Sequence, residues 1–259
     1  YYKVPARFED LVYMGLVLQG QGTRHGMEAH RRNRPYCMGS LFWQLNDSWP
    51  VVSWSAIDYY GNWKALMYQS KRAFAPILIN AIREDNDLCV YLISDELHDR
   101  DDVSMTVELM DFDGKTHGRW TCNGRLTANS SLLFMKKPVG EWLGKQDAAS
   151  SLLHLTLKTK NGATLADNVY YFAYPKEQKL PEASIETSVK RRGDEIEMTL
   201  KTDKLARDIF IEVPVQGVRF TDNFFDLLPG QRKTIVITST EGLSLKDFTF
   251  RLHQLGGVR

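Results

Sequence analysis

From Leu88 onward, apolar residues recur at every second position, and that period sets the class of fold before any motif is considered. Leu88-Cys-Val-Tyr-Leu-Ile93, Ser104-Met-Thr-Val-Glu-Leu-Met110, Leu132-Leu-Phe-Met135, Leu152-Leu-His-Leu-Thr-Leu-Lys158 and Asn168-Val-Tyr-Tyr-Phe-Ala173 alternate or run apolar, with turn residues between them. An extended chain points successive side chains to opposite faces, so each run is a strand with one face to bury. Several short strands of this kind close on one another as a β-sandwich, here over residues 76–177. Pro175-Lys-Glu-Gln-Lys-Leu-Pro181 is charged and bounded by prolines, which marks a linker. A second, smaller sandwich is expected over 178–259, from Ile185-Glu-Thr-Ser-Val189, Ile196-Glu-Met-Thr-Leu200, Ile209-Phe-Ile-Glu-Val213, Lys233-Thr-Ile-Val-Ile237 and Phe248-Thr-Phe-Arg-Leu252.

Residues 1–75 read differently. Pro5 suits a first helical turn, and Phe8, Leu11, Val12, Met14, Leu16 and Leu18 predict a helix to about Arg32 that bends or breaks at Gly20 and Gly22. Met38 to Leu45 reads as a buried strand. A loop rich in Trp, Pro and Ser follows, then a helix from Asn62, its cap, to Phe74 before Pro76. Helix, strand, loop and helix match the closing units of a (β/α) barrel, which complete would need about 250 residues. The expected fold is mostly β: two β-sandwiches preceded by the last α/β units of an incomplete TIM barrel.

The predicted strand runs into chemistry. Gly39-Ser-Leu-Phe-Trp-Gln-Leu-Asn-Asp-Ser-Trp-Pro50 and Ser53-Trp-Ser-Ala-Ile-Asp-Tyr-Tyr60 interleave three tryptophans with amides and acids. Flat apolar rings beside hydrogen-bonding groups suit a sugar, whose C–H face stacks while its hydroxyls are bonded. The same residues could equally plug a joint between two domains.

The words themselves carry a resemblance. Trp43-Gln44-Leu45-Asn46-Asp47, Ser48-Trp49-Pro50, Ser53-Trp54-Ser55, Ile57-Asp58-Tyr59-Tyr60 and Trp63-Lys64-Ala65-Leu66 closely resemble the end of the catalytic barrel in β-mannosidases of glycoside hydrolase family 2. Phe220-Thr-Asp-Asn-Phe-Phe-Asp-Leu-Leu-Pro-Gly230, about 170 residues downstream, resembles their last immunoglobulin-like domain. The resemblance spans essentially the whole chain and implies that both sandwiches are immunoglobulin-like. Related exo-glucosaminidases carry an Asn-Asn form of the first motif, so Asn46-Asp47 favours the mannosidase branch.

These enzymes retain configuration, which takes two carboxyl groups about 5 to 5.5 Å apart. By the resemblance both are glutamates on earlier barrel strands, so no catalytic residue is expected here and the isolated chain is expected to be inactive. Asp47 and Asp58 are the acids weighed as a substitute pair and set aside. The resemblance implies Trp43 as a sugar platform, worth about 1 kcal/mol beyond the area it buries. Asn46 and Asp47 join it as substrate-binding candidates, or instead hold the loop that carries Trp49 and Trp54. Trp63 and Lys64 are read as packing with a snorkelling amine. The implied partners are a β-mannoside or manno-oligosaccharide substrate and the missing N-terminal part of the same protein, with self-association through exposed apolar surface.

Composition removes other classes. A formal net charge of +1 in 259 residues gives no electrostatic case for nucleic acid or an anionic membrane, and no apolar run nears the roughly 20 residues of a bilayer span. Tyr-Tyr-Lys-Val-Pro-Ala-Arg7 is no signal peptide, and the absent initiator Met leads us to expect a fragment, which leaves the compartment open. Cys37, Cys89 and Cys122 form neither a disulfide framework nor a zinc pattern; Cys37 and Cys89 are expected buried in strands. Asn46 and Asn129 open chance-level glycosylation tripeptides. His25, Glu28 and His30 do not share a helix face, so a solvated basic helix end replaces a metal site. Asp111-Phe-Asp-Gly114 and Arg191-Arg-Gly-Asp194 read as turns, and Asp222-Asn-Phe-Phe-Asp226 as packing. No metal or cofactor is expected. The rival functions are a non-catalytic carbohydrate-binding or interaction module, and a family 2 hydrolase of another sugar.

Overall fold

The computed structural model describes residues 1–239 and 248–258. The chain divides into two compact units: Tyr1–Tyr2, His25–Ser40 and Arg72–Lys179 form one, and Lys3–Arg24, Leu41–Lys71 and Leu180–Arg259 the other. Two helices, α1 (Phe8–Arg32) and α2 (Ala65–Ala73), contribute residues to both.

The first unit is built on seven strands: β1 (Ile77–Glu84), β2 (Asp87–Ser94), β3 (Arg100–Asp111), β4 (Thr116–Leu126), β5 (Ser130–Pro138), β6 (Ser151–Thr159) and β7 (Thr164–Tyr171). They form a three-stranded sheet in the order β1-β2-β5 and a four-stranded sheet β4-β3-β6-β7, antiparallel throughout. Ile79, Leu88, Val90 and Leu92 from one sheet meet Val103, Met105, Val107, Leu153, Leu155 and Leu157 from the other in one dry core. Each such side chain contributes roughly 1.5 to 3 kcal/mol on burial, which makes the period-two pattern decisive. A short helix, α3 (Val139–Leu143), drops Trp142 into this core, edge-on to Trp120 at 4.9 Å.

The last part of α1 belongs to this unit and is a solvated basic end only in part: His25 and His30 are exposed, but neighbouring charges turn inward. Arg31 donates to the carbonyls of Ala73 (2.5 Å) and Ala75 (2.7 Å) and to Asp95 (2.8 Å). Glu28 is buried and accepts from the Asn80 amide at 2.5 Å, and Arg34 pairs with Asp95 at 2.8 Å. The charges that looked suited to water instead bond the carbonyls and acids of the sandwich rim, where desolvation is tolerable only because they are paired. Among the described residues no cluster of His, Cys, Asp and Glu could hold a metal.

The second unit holds β8 (Ile185–Arg192), β9 (Glu195–Thr202), β10 (Ala206–Glu212), β11 (Val218–Phe220), β12 (Phe225–Leu227), β13 (Arg232–Ser239) and β14 (Arg251–His253). The sheets run β11-β13-β9-β8 and β12-β10-β14 around Ile196, Met198, Leu200, Ile209, Ile211, Ile235 and Ile237. The first part of α1 packs on this sandwich: Tyr13 donates to the Asp208 carbonyl at 2.6 Å and stacks on Phe210. Phe210 in turn stacks on Phe224 at 4.5 Å, and Phe224 and Phe225 are buried, so Asp222–Asp226 is packing as read.

Helix α1 does not break at Gly20 or Gly22. A Cβ at Gly20 would sit 3.1 Å from the Ala65 carbonyl carbon and 3.1 Å from the Gln69 side chain. Gly20 therefore lets α1 and α2 approach closely rather than marking a hinge. The hairpin turns at Asp111–Gly114 and Arg191–Asp194 form as expected, with Gly114 and Gly193 at positive φ.

Three further expectations for residues 1–75 are corrected. Met38–Leu45 is not a buried strand: Met38, Leu41, Trp43 and Leu45 are exposed, and among the described residues no strand pairs with Met38–Trp43. An apolar run is only a buried strand where a neighbour supplies its hydrogen bonds. Cys37 accordingly lies half-buried outside any strand, while Cys89 is buried in β2, where desolvation pushes its thiol up to about 11. The second helix starts at Ala65, not Asn62, because Asn62 is engaged by Asp58, which accepts from its backbone N–H (2.8 Å) and side-chain amide (3.0 Å).

Candidate functional site

Trp43, Asn46 and Asp47 lie together in the loop of the second unit that ends at α2. The loop folds because residues 44–47 zip against 55–57. Ala56 N–H donates to Gln44 (3.0 Å), Ile57 N–H to Leu45 (2.8 Å) and Asp47 N–H to Ile57 (3.1 Å), giving a parallel bridge at Asn46 and Ile57. The Trp43–Gln44 peptide is cis, and the Trp43 ring stands out with 77% of its surface exposed.

Asp47 points the other way. Its side chain is 3% exposed and both oxygens are taken. Ser53 Oγ donates to Oδ1 at 2.5 Å, Ser55 Oγ lies 2.7 Å from Oδ2, and Lys64 Nζ donates to Oδ2 at 3.0 Å. Lys64 Nζ also donates to Ser55 Oγ at 2.7 Å, so the amine does not snorkel to water. It turns inward because the carboxylate and two hydroxyls satisfy all three of its protons. The Ser53 hydroxyl, then that of Ser55, with the Lys64 amine behind them, hold the Asp47 carboxyl at about 2. A group that acidic is deprotonated at any ordinary pH and suits anchoring, not proton transfer.

Asn46 is exposed, and its amide donates to the Asp47 carbonyl at 3.2 Å. Trp63 packs edge-on against Tyr68 at 5.4 Å, as expected for a core ring. Sequence reasoning missed the serines. Ser53 and Ser55 flank a bend at Trp54, where the Ser55 N–H donates to Ser53 Oγ at 3.1 Å, and the Ser-Trp-Ser spacing was the available signal. Around Trp43 the loop also exposes Leu41, Leu45, Trp49, Val52 and Trp54. Exposed rings on a pinned loop can stack on a planar or cyclic ligand, or be covered by further polypeptide.

Comparisons with known proteins run along nearly the whole chain. Residues 86–177 match a Mannosidase Ig/CBM-like domain, and residues 180–254 an Ig-fold domain of mannosidases. A β-mannosidase of Bos taurus is 29% identical over 88% of this chain, and β-mannosidase B of Thermothelomyces thermophilus 26% over 98%. The crystal structure of a β-D-mannosidase from Dictyoglomus thermophilum superposes with a TM-score of 0.83 at 27% identity, over 98% of this chain and 30% of its own. The chain spans 27% of the length of the Bos taurus protein and 32% of the fungal one. The two sandwiches are immunoglobulin-like, and along nearly its whole length the chain resembles a C-terminal part of the β-mannosidases of glycoside hydrolase family 2.

Proposed function

We propose that this chain is part of a retaining exo-β-mannosidase that releases terminal β-linked mannose from the non-reducing end. In this reading residues 1–75 are the end of its catalytic barrel, 76–177 and 178–259 its immunoglobulin-like domains, and the two catalytic glutamates stand elsewhere in the longer protein. Likeness to β-mannosidases along nearly the whole chain supports it. The observation that carries the site is the exposed Trp43 ring on a loop anchored by Asp47. Trp43 would stack on the sugar, Asn46 would offer its amide to a hydroxyl, and Asp47 would hold both in place. Asp47 and Asp58 do not replace the glutamates, the first being too acidic and the second engaged by Asn62. The exposed Leu41, Leu45 and Trp49 would be covered by neighbouring barrel strands, and in the isolated chain would favour self-association.

The test is Trp43→Ala in the full-length protein that carries this chain. With an aryl β-mannoside, kcat/KM is expected to fall about tenfold or more, the effect of losing a ring-stacking contact and its buried area. An unchanged kcat/KM would contradict the platform.

The Ig/CBM-like match over 86–177 favours a second reading, a non-catalytic mannan-binding sandwich. Calorimetry of the Trp43→Ala chain with mannan separates the two, since binding that survives the substitution belongs to the sandwich.

A further inference from the structure

The inward Lys64 is left unused by a platform made of Trp43 alone. Trp43 is the last residue before a stretch in which every member is bonded. Gln44 and Leu45 accept from Ala56 and Ile57, Asn46 accepts at its carbonyl from the Gln44 amide at 2.9 Å, and Asp47 donates to Ile57. The side chain of Asp47 then ties this stretch to Ser53, Ser55 and Lys64. Lys64 is fixed in turn: its backbone N–H donates to Ala56 at 2.9 Å, and it leads into α2, whose Gln69 donates to the Phe224 carbonyl at 3.1 Å. Bonds thus run without a gap from the sandwich, through α2 and the Asp47 carboxylate, to the residue beside Trp43.

An exposed ring has few neighbours to hold it, so its orientation is set by the backbone it stands on. Stacking rewards a ring already in place, because ordering it on binding costs side-chain entropy. We propose that Lys64, Ser53 and Ser55 are positioning residues for Trp43, fixing through Asp47 the backbone from which its indole reaches the sugar. The inference rests on the platform reading of Trp43 for its function, and on the bond network alone for its geometry.

The test separates the two. The 259-residue chain labelled with 5-fluorotryptophan gives a fluorine resonance for each of its six tryptophans, and Trp43→Phe assigns one of them. Ser53→Ala and Lys64→Met are expected to shift and broaden the Trp43 resonance while that of Trp142, buried in the first sandwich, stays in place. Lys64→Arg, which keeps the charge, is expected to restore the Trp43 resonance in part. Should Lys64→Met unfold the chain and move Trp142 as well, Ser53→Ala decides alone, since it removes a hydroxyl and no charge. A Trp43 resonance unmoved by Ser53→Ala overturns the proposal.

In the full-length protein, Ser53→Ala is expected to raise KM for an aryl β-mannoside by about three- to tenfold, the scale of one hydrogen bond, with kcat nearly intact. It should add nothing further in a Trp43→Ala background. Effects that multiply overturn the positioning role and leave the platform standing. A KM indifferent to Trp43→Ala overturns the platform, and the fluorine spectra still decide the positioning.

Discussion

At Asp47 a nearly dry carboxylate is held charged by two hydroxyls and an ammonium group. Its folded value of about 2 lies below the ordinary 3.8, so folding favours the deprotonated form. That contribution is complete above about pH 4 and is lost as pH falls towards about 2. Asp47→Asn, which cannot carry the charge, is therefore expected to lower the thermal midpoint at neutral pH, and the gap to the unsubstituted chain should close as the pH approaches about 2. A gap that stays constant between about pH 5 and 2 would show that the charge is not what holds the loop. Trp43, Asn46 and Asp47 stand out in the sequence because their residue types are unusual at the end of an apolar run. The partners of Asp47 do not. A lysine before a helix is ordinarily solvated, and only the fold shows the carboxylate and hydroxyls that draw it in.

Among the elements, the strands with strong alternation were legible, because inward positions such as Leu153, Leu155 and Leu157 have nowhere to go but the core. Strand β4 went unread, since Thr116–Leu126 is polar and carries Gly118 and Gly124. Those glycines have a packing reason: a Cβ would lie 2.8 Å from the Trp120 ring at one and 2.9 Å from the Phe134 ring at the other. β11 and β12, of three residues each, are too short to show a period. The misread strand at Met38–Leu45 failed for another reason, since hydrophobicity reports what can be buried and not whether a neighbour exists to bury it. In α1 the two central glycines differ in kind. Gly22 has open space where a Cβ would go, so Gly22→Ala is expected to stabilise by about 0.5 to 1 kcal/mol through backbone entropy. Gly20→Val is expected to destabilise by about 1 to 3 kcal/mol, because its side chain must enter the contact with Ala65 and Gln69. Thermal or urea unfolding checks both, and equal effects of the same sign would remove the close-approach role of Gly20.

On the scale of the molecule, each sandwich closes its own core, whereas residues 41–60 leave much of their aromatic and apolar surface to water. In the proposed reading this pinned loop with open rings is a sugar subsite whose reacting carboxylates are supplied from elsewhere. The most direct measurement is the hydrolysis of an aryl β-mannoside by the 259-residue chain on its own. The expected result is release of the aryl group at the rate of buffer alone, unchanged by Asp47→Ala. Turnover well above that rate, abolished by Asp47→Ala, would mean that the working carboxylates lie within these residues after all.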